Sequence, residues 1–202
     1  MNMTIDELYN KLEDKSFQDT TTGTMFYNVF VFQYPAEEEY EIQRQIEEFK
    51  VRLKRPNNNL DILTINIFDE FCAFLDQKSF GKNPSLLKYL LDKEHKNPKS
   101  VQDTLTRNAG DEKFFEWINT RISEHQNKDS DLVRSFVFLH GFGQLFPYQR
   151  TNTFLSNFER YNSGESYKII VFYPGHAEGN SFSLFDVLTD AHTYRSIKLI
   201  NE

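Results

Sequence analysis

The chain has 202 residues, 39% of them hydrophobic and 26% charged, enough for one domain with a real core or one domain with a helical elaboration. Its net charge of −7, from 30 acidic against 23 basic residues, argues against non-specific binding to a phosphate backbone, so direct nucleic-acid binding is not expected. One cysteine, Cys72, excludes an internal disulfide and suits a small core residue in a reducing cytoplasm, and no apolar run approaches the roughly 18 residues of a membrane span.

Ile5, Leu8, Tyr9 and Leu12 recur at helical spacing behind Thr4, with Glu7 placed to complete a capping box. This start is acidic and amphipathic, unlike an export signal. After a polar turn at residues 17–24, the run MFYNVFVF at residues 25–32 predicts a strand that stops at Tyr34-Pro35. Residues 36–53 predict a long charged helix with Tyr40, Ile42, Ile46, Phe49 and Leu53 on its apolar face. A Pro-Asn loop at residues 56–59 leads to a second strand, LDILTINIF at 60–68, and a helix at 69–77.

Residues 79–131 are polar and charged. They predict helices at 85–93 and at 114–125, the latter with Phe114, Phe115, Trp117, Ile118 and Ile122 inward, and a break at Asn108-Ala109-Gly110. No strand is expected there, so the stretch reads as a helical insertion or a long crossover. A third strand at 135–140, a helix opening at Pro147 or Arg150 and running to Arg160, a fourth strand at 167–173, a loop at 176–190 and a closing strand at 194–200 complete the chain. The alternation predicts a single α/β domain over residues 1–202, with a mostly parallel central sheet of about five strands flanked by helices. It is P-loop-NTPase-like in order but lacks a Walker A motif.

Three chemistries can be weighed on this frame. A phosphate cradle needs glycines, a lysine and a hydroxyl after the first strand. The chain instead carries QYPAEEEY there, and Glu37, Glu38 and Glu39 suit a helix start and repel phosphate. The one Gly-Lys pair, Gly81-Lys82, lacks the earlier glycine. Acyl hydrolysis would use the HGFG turn at His140–Gly143 as an oxyanion hole, but no G-x-S-x-G elbow accompanies it. A metal could draw on His140, His176 and His192 with Asp186 or Asp190, although no histidine pair has ligand spacing. No cofactor or catalytic residue is assigned.

What remains is a surface. The apolar strands ending at Gly141 and at Pro174-Gly175 resemble buried parallel strands, whose carboxyl-end loops are where ligands and partners meet such sheets. Phe142, Phe146, Tyr148 and Arg150 lie in the first loop. Tyr173, His176 and Phe185 lie around the second, and Tyr194 and Arg195 open the last strand. Aromatic residues and arginine are the types enriched at interface hot spots. The twenty phenylalanines divide between an aromatic core and such a patch, and Arg195 can equally pair inside the fold.

The glycine turn followed by Leu145-Phe146-Pro147 and Arg150, the FYPG strand end at Phe172–Gly175, Ser183-Leu184-Phe185 and the closing Tyr194-Arg195 occur together in this order. In this they resemble the BrxB family of BREX bacteriophage-defence systems. The early strand ending in Tyr34, Pro35 and acidic residues is similar too. The chain departs from the family's pattern at His192-Thr193-Tyr194, where two aromatics usually precede the arginine, and at Gln149, where an aliphatic residue is expected. The resemblance implies a non-enzymatic role in antiviral defence, as an adaptor or assembly protein, in the cytoplasm that the lone cysteine and the lack of an export signal lead one to expect. Its implied partners are other BREX proteins, the PglZ-like phosphatase-fold protein and the large ATPase. A divergent nucleotide- or nucleic-acid-responsive enzyme of the same system is the alternative, and the oligomeric state is left open.

Overall fold

The computed structural model describes residues 3–20, 28–161, 166–178, 181–185, 187–189 and 197–200. Five parallel strands form its centre: β1 (Val29–Tyr34), β2 (Leu63–Asn66), β3 (Phe136–His140), β4 (Lys168–Glu178) and, last in the chain, β7 (Ile197–Leu199). They lie in the order β2-β3-β4-β1-β7. The mostly parallel α/β sheet expected from the alternation is therefore present.

Helices cover both sides. On one side pack α1 (Ile5–Glu13) and α3 (Glu39–Leu53), whose Leu8, Leu12, Ile42, Ile46, Phe49 and Leu53 meet Phe30, Phe32, Phe138, Ile170 and Phe172 of the strands. The alternate strand residues Val31, Val137, Leu139, Ile169 and Val171 face the other side, as the period of two requires. That side is built by α4 (Ile67–Gln77), α5 (Leu86–Glu94), α6 (Pro98–Ala109), α7 (Glu112–Gln126) and α9 (Thr151–Phe158). Phenylalanines supply much of both cores. Phe154 alone lies within 5.4–6.4 Å of Phe114, Phe115, Phe142 and Phe158.

The first helix carries the capping box read from Thr4 and Glu7, with Thr4 Oγ1 accepting from Glu7 N–H and the Glu7 carboxylate accepting from Thr4 N–H. A short α2 (Lys15–Gln18) follows and is tied to the sheet by Lys168. That lysine is only 5% exposed and donates from Nζ to the carbonyls of Phe17 and Asp19 at 2.5 and 2.8 Å.

Several boundaries differ from expectation. The first strand begins at Val29, residues 25–27 lying outside the described ones, and Ala36–Glu38 form a 3₁₀ turn before α3. Tyr40 is 87% exposed rather than inward, because it stands across the helix from Ile42. The second strand ends at Asn66, whose side chain caps α4 by accepting from Phe68 and Asp69 N–H, so Ile67 and Phe68 are helical. Residues 79–131 hold α5, α7 and, between them, a further helix, α6, where only a break was expected. Pro147 does not open a helix; its bond to Phe146 is cis and α9 begins at Thr151. The fourth strand runs through Pro174-Gly175, and the expected loop at 176–190 contains β5 (Ser181–Leu184), antiparallel to β4, and β6 (Leu188–Thr189), antiparallel to β5. Cys72 is half-buried.

Candidate functional site at the strand ends

Three glycines shape the surface where β3 and β4 emerge. Gly141 sits in the left-handed region at φ 82° and caps the short α8 (Phe142–Leu145); a Cβ there would fall 2.1 Å from Asn66 Oδ1. Asn66 is already fixed, since its Nδ2 donates to Gln144 Oε1 at 3.2 Å while its Oδ1 caps α4. Gly143 leaves room for the Phe185 ring, whose Cζ would lie 2.6 Å from a Cβ at that position. Gly175, at φ 145°, lets β4 pass within contact of the Ser183 carbonyl. The first strand-end loop and the β4–β5 hairpin are thereby pressed together.

Phe185 is held at φ 55°, a conformation bulky residues rarely adopt. Its N–H donates to the Pro174 carbonyl at 2.9 Å, which pins the backbone, and the side chain stays 36% exposed. Val187, two residues on, is 78% exposed. Strain of this kind gathers at active sites, ligand clamps and switch regions.

Beside Phe185 a narrow crevice is lined by Phe142, Phe146, Gln149, Arg150, Thr151 and Tyr173, closed by Leu184 and Leu188 of the hairpin. Its volume is about 10 Å³, room for one water molecule and too small for a nucleotide or metabolite. The Arg150 guanidinium lies 5.7 Å from the centre of the Phe146 ring, a cation–π arrangement at the surface.

Of the residues proposed from sequence, Phe142, Phe146, Arg150 and Tyr173 are thus brought to one place. Two need correction. Phe142 and Tyr173 are buried and packed in the core, so they support the surface without forming it. Phe146 and Tyr148 are half-buried, while Arg150 and His176 are exposed. Tyr194 and Arg195 lie outside the described residues, as do His192, Asp186 and Asp190. Sequence reading missed Thr151, Leu184, Leu188 and Val187 as site residues. The alternation Ser181-Phe182-Ser183-Leu184 was the available signal of a strand there. Gln149, noted for replacing an aliphatic residue, is 5% exposed, and its Nε2 has no hydrogen-bond partner among the described residues.

The other chemistries meet different geometry. In the turn after β1, the Tyr34 hydroxyl donates to the Glu39 carboxylate at 2.6 Å and Gln43 Nε2 donates to its other oxygen at 2.8 Å. Burial pushes the Tyr34 phenol far up, so it stays a donor. The carboxylate therefore occupies the start of α3, where a P-loop would present backbone N–H groups to phosphate. His140, half-buried at the end of β3, has its pKa lowered by burial against the opposing pull of Glu39, Glu47 and Asp69. His125 has a structural place, its Nε2 lying 3.0 Å from the Asp61 carbonyl. No cluster of three or more potential metal ligands occurs among the described residues. No helix among them is long and apolar enough to cross a membrane.

Fold and site together define an α/β protein with a parallel sheet whose strand-end loops form an aromatic, arginine-bearing surface. The family model described as BREX protein BrxB matches residues 63–199. The chain belongs to the BrxB family of BREX proteins. It is also similar to the BREX protein BrxB of Bacillus cereus (strain H3081.97), with 24% identity over 207 residues covering 100% of this chain and 98% of that relative. No solved structure matches.

Proposed function

We propose that this chain works in a BREX-type bacteriophage-defence system as a non-enzymatic adaptor that holds other components in place. Its contact surface is Phe146, Tyr148, Arg150 and Phe185 with Val187 at the rim, and its partners are the PglZ-like phosphatase-fold protein and the large ATPase. The supporting observation is Phe185. A bulky residue held at φ 55°, with its ring seated on Gly143 and still 36% exposed, is an ordered anchor beside the Arg150–Phe146 pair. Pre-ordered aromatic and arginine anchors lose little freedom on binding and carry most of an interface's energy.

Capture of the PglZ-like protein and the ATPase by the tagged full-length chain tests this reading. Arg150→Ala and Phe185→Ala should each weaken binding about 30-fold, as loss of an anchor worth about 2 kcal/mol requires. Unchanged recovery of both partners by both variants refutes the surface. Specific uptake of ATP with magnesium, abolished by substitution at Glu39, would instead establish the nucleotide-responsive enzyme.

A further inference from the structure

Helix α3 turns Ile42, Ile46, Phe49 and Leu53 to the sheet. Its opposite face, which folding does not use, carries two exposed apolar side chains, Tyr40 at 87% and Val51 at 66%. Eleven residues apart, they are offset by about 20° around the helix and about 16 Å along it. They share one stripe. Arg44 and Glu47 stand on the same stripe between them, giving the i, i+4, i+7, i+11 spacing of a helix-pairing seam. Arg44, Glu47 and Val51 line an open groove there with Glu48, Arg52 and Arg55.

The stripe is complementary to itself. Positions 40 and 51 are symmetric about the point between Gln45 and Ile46, and so are positions 44 and 47. Two copies of α3 laid antiparallel about that point set Tyr40 on the second copy's Val51 and Arg44 against the second copy's Glu47, twice over. Within one copy Arg44 is already held between Glu41 and Glu48. Its five-donor guanidinium can also serve the incoming carboxylate. The wider charge agrees, because the helix and its lead-in start with Glu37, Glu38, Glu39 and Glu41 and end with Lys50, Arg52, Lys54 and Arg55. An antiparallel pair sets acid against base at both ends, whereas a parallel pair sets like against like.

We propose that the chain forms a two-fold homodimer through antiparallel packing of α3. A C2 contact must use one patch twice, and the symmetric spacing of these four residues meets that requirement. A contact of three helical turns falls below the roughly 1,200 Å² of stable complexes, so the dimer is weak and concentration-dependent. The proposal stands apart from the adaptor reading, which concerns other residues.

Sedimentation equilibrium of the full chain tests it. The wild-type mass should rise from 24.0 kDa toward twice that value with increasing concentration. Arg44→Glu and Glu47→Arg should each raise the dissociation constant at least about tenfold, since each sets like charges together at both symmetric contacts. An equimolar mixture of the two variants should recover association, because both contacts are then opposite in charge. Tyr40→Ser should weaken pairing without altering charge. A wild-type chain that stays at 24.0 kDa throughout, a dimer unaffected by Arg44→Glu, or a mixture that fails to associate overturns the proposal.

Discussion

Alanine at Gly141 and at Gly143 should have different consequences, although the two glycines stand only two residues apart. At Gly141 the backbone is left-handed, φ 82°, which costs an L-residue roughly 1–2 kcal/mol. The new methyl would also displace Asn66 Oδ1, 2.1 Å away, and with it the cap of α4, worth about 1 kcal/mol. The total of about 2–3 kcal/mol lowers Tm by roughly 4–12 °C in a chain of this size. At Gly143 the backbone is helical and alanine gains roughly 0.5–1 kcal/mol there. The obstacle is the far edge of the Phe185 ring at 2.6 Å, which can swing outward toward solvent. Stability should therefore stay within about 1 kcal/mol of wild type.

The second readout separates fold from surface. If Phe185 is an anchor, Gly143→Ala unseats it and should cost about 2 kcal/mol of partner binding, near 30-fold in Kd, with Tm held within about 4 °C. Thermal unfolding followed by circular dichroism, together with titration of the PglZ-like protein, measures both quantities. A Gly143→Ala protein that binds like wild type, with Phe185→Ala also neutral, would refute the role given to this ring. A Gly141→Ala protein with unchanged Tm would refute the account of the turn itself.

Three other outcomes follow from buried polar groups. Gln149→Leu should leave stability unchanged or raise it by about 1 kcal/mol in chemical denaturation, since it removes a buried amide nitrogen that has no partner among the described residues. Lys168→Met should cost about 1–3 kcal/mol in the same measurement, because the Phe17 and Asp19 carbonyls lose their ammonium donor. Stability should fall as pH drops below about 6.5, the value of a free histidine. Burial lowers the pKa of both His125 and His140, so the unfolded chain takes up their protons first; stability is complete above the unfolded value and declines toward the folded ones, by at most about 1.4 kcal/mol per pH unit for each. His125→Gln should flatten that decline in unfolding titrations between about pH 5 and 7, a window above the range where ordinary carboxylates titrate.

Sequence patterns carry the sheet well because β1, β3 and β4 are apolar on both faces and lie between polar turns. They failed where two patterns overlap. Ile67 and Phe68 continue the apolar run of β2, yet Asn66 caps a helix there, and a cap outweighs one more β-prone residue. Helix α6 buries only Val101, Asn108 and Ala109, so few apolar residues mark its inner face; Asn97 before Pro98 was the signal of its start. Pro174-Gly175 reads as a turn, but Gly175 serves to bring β4 against the Ser183 carbonyl, a tertiary contact that no local rule contains. For the same reason Phe142 and Tyr173 could be placed near the right strand ends but not on the right side of the surface. Burial is decided by the hairpin that closes over them.

The two surfaces also constrain one another. Helix α3 follows β1, so its acidic start stands at the carboxyl ends of the strands, the same end from which the Gly141 and Pro174 turns emerge. The helix then runs back along the sheet for fifteen residues, about 22 Å. In an antiparallel α3 pair the two strand-end surfaces therefore lie toward opposite ends of the dimer, and neither is covered by the pairing residues. Such a dimer offers two identical contact sites, so a partner that is itself oligomeric would gain by avidity, whereas a monomeric partner would not. Loss of α3 pairing should then weaken capture of an oligomeric ATPase more than capture of a single-copy protein, although Phe185 and Arg150 remain untouched in both cases.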